Sequence, residues 1–203
     1  MESGEVGTEI KNLVVEKAGM RPIMSFMREA RQLTSSEPIQ SLEDIKGMKI
    51  RIAQSEASIS AWEALGATPV PMPMGEVFSA LQQGVIDGQE NPNSIIYARN
   101  IYEVNKHVAL TNHQYAPVWV LISEKKFQQL PEDLQDIVLE SAQEAQAFEA
   151  DIAEEEWSEM RGKLENEGVE YTEIDVAPFK EAVKDVYKEF PELVPYVEKI
   201  MNK

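Results

Sequence analysis

With 203 residues, 43% of them hydrophobic and 27% charged, the chain can form one large domain or two small ones and bury a sizeable core. Its net charge of −17, from 19 Lys+Arg against 36 Asp+Glu, excludes a surface for nucleic acid or for an anionic membrane, because both need clustered cations. With no cysteine there are no disulfides, no thiol catalysis and no Cys-ligated zinc, and no apolar run approaches the ~20 residues of a membrane-spanning helix.

The first seven residues are polar, with no helix start and no signal-peptide pattern. Ile10, Leu13, Val14 and Lys17 predict a helix over residues 9–18, with Gly19 as its stop. Residues 21–27 read as a strand leading into a polar loop from Arg28 to Ser36. Ser41 and Asp44 have the spacing of a capping box around a helical turn that ends at Gly47. Met48 to Ala53 alternates strictly, which predicts a strand with Lys49, Arg51 and Ala53 on one face. A helix over 57–65 is ended by Gly66. The prolines at 69, 71 and 73 force the following segment to be extended.

The stretch from Met72 to Pro92 organises this part of the chain. A proline-marked loop enters a short amphipathic helix over 76–83, stopped by Gly84, and residues 85–88 read as a brief buried strand. Gln89, Glu90 and Asn91 then fall just past a strand's carboxyl end, where open α/β sheets bind ligands. On pattern alone Asn91 is either a ligand contact or the cap of the next helix, expected over 93–105. Residues 108–111 and 118–122 are two strands, or one strand bent at Pro117, and 123–130 is a short helix. Pro131 opens a helix to about Asn166, roughly 54 Å at 1.5 Å per residue, too long for one compact lobe. From Pro131 to Asp175 the acidic residues are countered only by Arg161 and Lys163, as on a solvated face. A strand over 169–174 and helices over 179–190 and 192–200 complete an α/β pattern.

Little in the sequence points to catalysis. Two histidines without a metal-binding spacing, no calcium loop, no nucleophile elbow, no phosphate loop and no dinucleotide fingerprint predict neither metal nor cofactor. Asp87 and Glu90 could work as an acid–base pair, but nothing positions them, and the chain is not expected to be an enzyme. Arg51 is a guanidinium in mid-strand between Ile50 and Ile52. Such a group needs a partner, and its planar fork suits a carboxylate, from a ligand or from a structural ion pair. Arg31, taken alone, reads as a surface arginine.

A resemblance gives these residues a common purpose. Lys46-Gly47-Met48-Lys49-Ile50-Arg51, then Leu65 to Met72, Gly75 to Gln82, and Val85-Ile86-Asp87-Gly88-Gln89-Glu90-Asn91-Pro92 resemble the DctP-type solute receptors of TRAP (tripartite ATP-independent periplasmic) transporters. Tyr102-Glu103-Val104, Leu110 to His113 and Leu130 to Gln135 continue the match, which runs over about residues 9 to 190. It implies a periplasmic-binding-protein-like, type II-like fold of two α/β lobes, joined by crossing strands and braced by a long helix. It further implies a ligand site in which Arg51 clamps a carboxylate, Asn91 hydrogen-bonds the same group, Arg31 is a second arginine, and Gln54 and Met74 line the cleft. Met74 stands where an aromatic is common, and Tyr115 and Trp119 are further wall candidates with core roles as alternatives.

The partners implied are a small organic acid and the membrane permease subunits of a TRAP transporter, in the periplasm. Members are longer, so the sequence reads as one that lacks the opening of the first lobe. Residues 1–30 are expected to be a remnant of that lobe, 31–117 the second, ligand-binding lobe, and 118–203 a cross-over strand, the long helix and C-terminal elements. Exposed apolar surface would then favour a homo-oligomer, an added partner or a disordered N-terminus. The alternative is an acidic helical interaction or scaffold module without ligand binding.

Overall fold

The computed structural model describes residues 4–201. The chain begins with α1 (Glu5–Ala18), β1 (Met20–Met27) and β2 (Arg31–Ser35), followed after a 3₁₀ turn by β3 (Lys49–Ile52), α2 (Glu56–Ala64) and β4 (Thr68–Pro71). Next come α3 (Val77–Gln82), β5 (Gly88–Asn91), α4 (Asn93–Ala98), β6 (His107–Gln114) and β7 (Pro117–Ser123). The last elements are α5 (Glu124–Phe127), α6 (Glu132–Asn166), β8 (Glu170–Thr172), α7 (Ala177–Val183) and α8 (Val194–Met201). No described helix is long and apolar enough to cross a membrane.

Two compact units divide these elements, one of residues 1–28, 116–156 and 196–203, the other of 29–115 and 157–195. In the first, β1 and β7 form an antiparallel ribbon. Arg21 clamps Glu124 bidentately at 2.7 and 2.8 Å and lies over the buried Phe127 ring at 4.6 Å, fixing the start of α5 to the ribbon. The side chain of Gln146 accepts a hydrogen bond from Ser25 N at 2.8 Å, tying α6 to β1. The N-terminal segment is thus helix α1 and strand β1, joined at Gly19. Helix α6 has 35 residues, close to the length read from sequence.

The second unit is built on a six-stranded mixed sheet in the order β4-β3-β5-β2-β6-β8. Alternation along the strands sends Leu33, Ile50, Ile52 and Ala109 to one face, where they pack with Trp62 and Leu65 at α2 and Phe179 of α7. The other face buries Val77, Leu81, Ile86, Ile96 and Val108, joined by Leu164 from the end of α6. The capping box expected at Ser41 and Asp44 is present.

Four expectations change. The polar loop over 28–36 contains β2, which lies inside the sheet between β5 and β6. The brief strand expected at 85–88 instead begins at Gly88 and carries Gln89, Glu90 and Asn91, while Val85 is exposed. The reason is pairing. Gln32, Thr34 and Ser35 are buried but bonded, so polarity did not keep these segments out of the sheet. The helix expected over 93–105 stops at Ala98, because Asn100 takes a left-handed conformation at φ 55° and a 3₁₀ turn follows. The C-terminal helices are shorter than expected, with a 3₁₀ turn over Val186–Glu189 between them.

Candidate functional site

The candidate site is built where β3 and β5 run side by side. Because Ile50 and Ile52 enter the core beneath α2, Arg51 must leave the sheet on the opposite face, where its backbone neighbours are Val70 and Gln89. It is only 5% exposed. Its Nε and Nη2 both donate to the carbonyl oxygen of Met72, at 3.0 and 2.7 Å. Burial pushes the guanidinium below its ordinary pKa, with Glu90 opposing this and Arg31 reinforcing it. Among the described residues no carboxylate forms an ion pair with Arg51. Nη1 makes no bond and is not sealed from solvent, so one edge of a mostly buried cation stays available.

Strand β5 supplies polar groups to both faces. Gln89 Nε2 donates to Thr34 Oγ1 at 3.0 Å, and that hydroxyl donates back to the Gln89 carbonyl at 3.3 Å. Asn91, on the same face, donates from Nδ2 to Gln89 Oε1 at 2.5 Å and lies 3.8 Å from the sulfur of Met74. Glu90 points the other way. Its carboxylate is held by Arg31 through Nε on Oε2 and Nη2 on Oε1 at 2.8 Å, while Nη2 also reaches the Glu90 carbonyl at 2.7 Å. His113 Nε2 lies 3.1 Å from Oε2, and since an ionised carboxylate only accepts, Nε2 carries the proton. Thr111 Oγ1 sits 2.7 Å from His113 Nδ1, and Trp62 meets the imidazole edge-on with centroids 5.2 Å apart. Burial pushes the Glu90 carboxyl up, but the bonds and charges of His113 and Arg31 outweigh it and hold the group below its ordinary range.

The strand end is braced from behind. Glu29 accepts from Asn93 N at 2.9 Å and Asn93 Nδ2 at 2.5 Å, and Tyr171 donates to Asn93 Oδ1 at 2.9 Å. Burial raises the Glu29 carboxyl above its ordinary value, with the Asn93 and Ser94 bonds working against it. No group of three or more acidic or histidine side chains among the described residues is placed to hold a metal ion.

The family model of the bacterial extracellular solute-binding proteins, family 7 (DctP), matches residues 1–193. The chain belongs to this family. A solute-binding protein of Roseobacter denitrificans is 44% identical over 183 residues, covering 90% of this chain and 56% of its own length. The sialic acid-binding periplasmic protein SiaP of Vibrio cholerae is 32% identical over 190 residues, covering 94% and 59%. A crystal structure of a TRAP periplasmic solute-binding protein from Roseobacter denitrificans with bound L-galactonate superposes with a TM-score of 0.87 at 42% identity, covering 98% of this chain and 67% of that one. A second, from Xanthobacter autotrophicus with bound β-D-galacturonate, gives 0.88 at 34% identity, covering 98% and 67%. The chain spans 56–60% of the length of four of the curated relatives it matches, and less of others. The family is one of solute-binding transport proteins rather than enzymes.

Within this DctP-family chain, Arg51 and Asn91 stand on adjacent strands and share a face, and Met74 touches Asn91. Asn91 does not cap α4, whose N-cap position is Pro92. Arg31 is part of the sheet and gripped by Glu90, unlike the surface arginine it resembles when read alone. Gln54 is exposed in the loop after β3 and makes no side-chain hydrogen bond to a described residue. Tyr115 is exposed, and Trp119 lies on β7 in the other compact unit. Asp87 and Glu90 are not a pair: Asp87 accepts from Lys49 N at 2.7 Å, while Glu90 is held by Arg31 and His113. Reading the sequence missed Glu90 and His113 as members of the cluster. The signal was two polar segments far apart in sequence, 31–35 and 89–91, whose burial requires polar partners on other strands.

Proposed function

We propose that this chain is the solute-binding part of a TRAP transporter receptor, periplasmic in location, that holds the carboxylate of a sugar acid and presents it to membrane permease subunits. The observation that carries the reading is Arg51, a guanidinium 5% exposed with one free edge and no carboxylate partner among the described residues. A mostly buried cation without a counter-charge is costly, and a ligand carboxylate removes that cost while gaining a charge-assisted bond. Asn91 offers an amide on the same face, Met74 forms a wall, Arg31 adds a second positive charge behind Glu90, and Gln54, exposed just after β3, is a further candidate contact. Similarity to receptors solved with galactonate and galacturonate supports sugar acids as the ligand class. The second compact unit is then the ligand-binding lobe. Self-association belongs to the same reading, supported by the exposed Met27, Val120 and Leu121 of the ribbon, and light scattering decides it.

Calorimetric titration with D-galacturonate, D-glucuronate and L-galactonate tests the assignment. At least one acid binds wild type, and Arg51→Ala weakens that binding by about 2–5 kcal/mol, at least ~30-fold. Arg51→Lys, which keeps the charge and loses the fork, falls between the two. Unchanged affinity in Arg51→Ala, or no binding of any acid by a wild-type protein that melts cooperatively, would overturn the proposal.

A further inference from the structure

On the face of the sheet opposite Arg51, a cavity of about 410 Å³ opens between α2, α7 and the end of β6. Its size falls within the range of small-molecule sites. Trp62 and Leu65 from α2 and Phe179 and Val183 from α7 form apolar walls, and Thr111 and His113 form a polar end. Lys180 also lines it. It is exposed, and no carboxylate pairs with it among the described residues, in a chain where acids outnumber bases 36 to 19. Its neighbours on and after α7 are provided for, since Glu181 pairs with Lys184 and Asp185 with Lys188 at 2.6 Å. A cation lining a cavity with aromatic walls favours an anion with an apolar body.

We propose that this α2–α7 cavity is a second small-molecule site, distinct from the Arg51 site, that takes an organic anion with a flat apolar ring. The ring lies between Trp62 and Phe179, and the anionic group meets Lys180. The cavity shares none of Arg31, Arg51, Glu90, Asn91 or Met74. It does share the Thr111–His113 pair, and His113 touches Glu90, so an occupant lies one residue away from the group that fixes Arg31.

Titration of the full chain with 1-naphthoate, followed by calorimetry and by the indole N–H resonance of Trp62 (assigned through Trp62→Phe), tests this. Saturable binding that shifts the Trp62 resonance is expected in wild type and is retained in Arg51→Ala. Ala61→Leu, which fills the cavity from α2, weakens binding about tenfold or more, and Lys180→Ala weakens it several-fold. D-galacturonate binding stays intact in Ala61→Leu, so failure of this proposal is separable from failure of the Arg51 assignment. No saturable binding, binding lost in Arg51→Ala, or binding unchanged in both Ala61→Leu and Lys180→Ala would each overturn it.

Discussion

Arg31 and Arg51 are both drawn out of water, yet their charges are met differently. Arg31 has a full carboxylate partner, while Arg51 has one backbone carbonyl and an open edge. Glu90 is therefore a structural group whose loss leaves the Arg31 cation, 15% exposed at its side chain, without a counter-charge. Glu90→Gln should lower unfolding free energy at neutral pH by about 3–5 kcal/mol, measured by urea denaturation. The pH dependence has a definite sign. Because the folded-state pKa of Glu90 is held below its ordinary 4.5, its contribution is complete above that value and is lost as pH falls through the depressed one. Stability curves of wild type and Glu90→Gln should thus converge as the solution is made more acid. Parallel curves down to the acid transition would refute this role.

At the level of elements, β5 is unusual in being buried along its whole length while presenting no large apolar side chain. It holds its place through ladder bonds, side-chain pairs and one close approach at Gly88. A Cβ there would lie 2.4 Å from the Thr34 carbonyl oxygen, so the backbones of β2 and β5 would have to part. Gly88→Ala should destabilise the fold by about 1–3 kcal/mol, seen as a shift of the denaturation midpoint without a change in slope. Wild-type stability in that variant would mean the strands have room to move. Sequence patterning recovers α2, β3, β4 and α6, where apolar spacing, glycine stops and prolines all act locally. It fails at β2 and β5, because each is polar and its burial depends on strands distant in sequence, β5 and β6 for the one and β3 and β2 for the other. The site divides in the same way. Arg51 is conspicuous as a cation in an alternating apolar strand, whereas the Arg31–Glu90 pair joins residues 59 apart and no local pattern announces it. Asn91 is legible only through the family resemblance.

Over the whole molecule the two compact units are built to different standards. The second has a core on each face of a six-stranded sheet. The first rests on a two-stranded ribbon, with few buried apolar side chains, among them Val6, Phe127, Ala142 and Ala153. Ribbons of that kind are marginal without packing partners. Amide hydrogen exchange should therefore be faster in β1 and β7 than in β2, β3 and β5, and mass spectrometry of the peptides would show it. Equal protection in the two sets would contradict the difference in burial.

Met74 has a consequence for how ligand preference can change. It sits half-buried in the 3₁₀ turn before α3, touches Asn91 through its sulfur, and borders a small cavity of about 270 Å³ beside Phe78 and Arg99. No backbone pairing depends on its side chain, whereas Gln89 and Glu90 of β5 also bond across to β2. In the site proposed above, variation at position 74 would reshape one wall while the strand stays in register. If the proposed site holds, selectivity is easier to change at this turn, where an apolar side chain of another size still packs on the core, than in the strand.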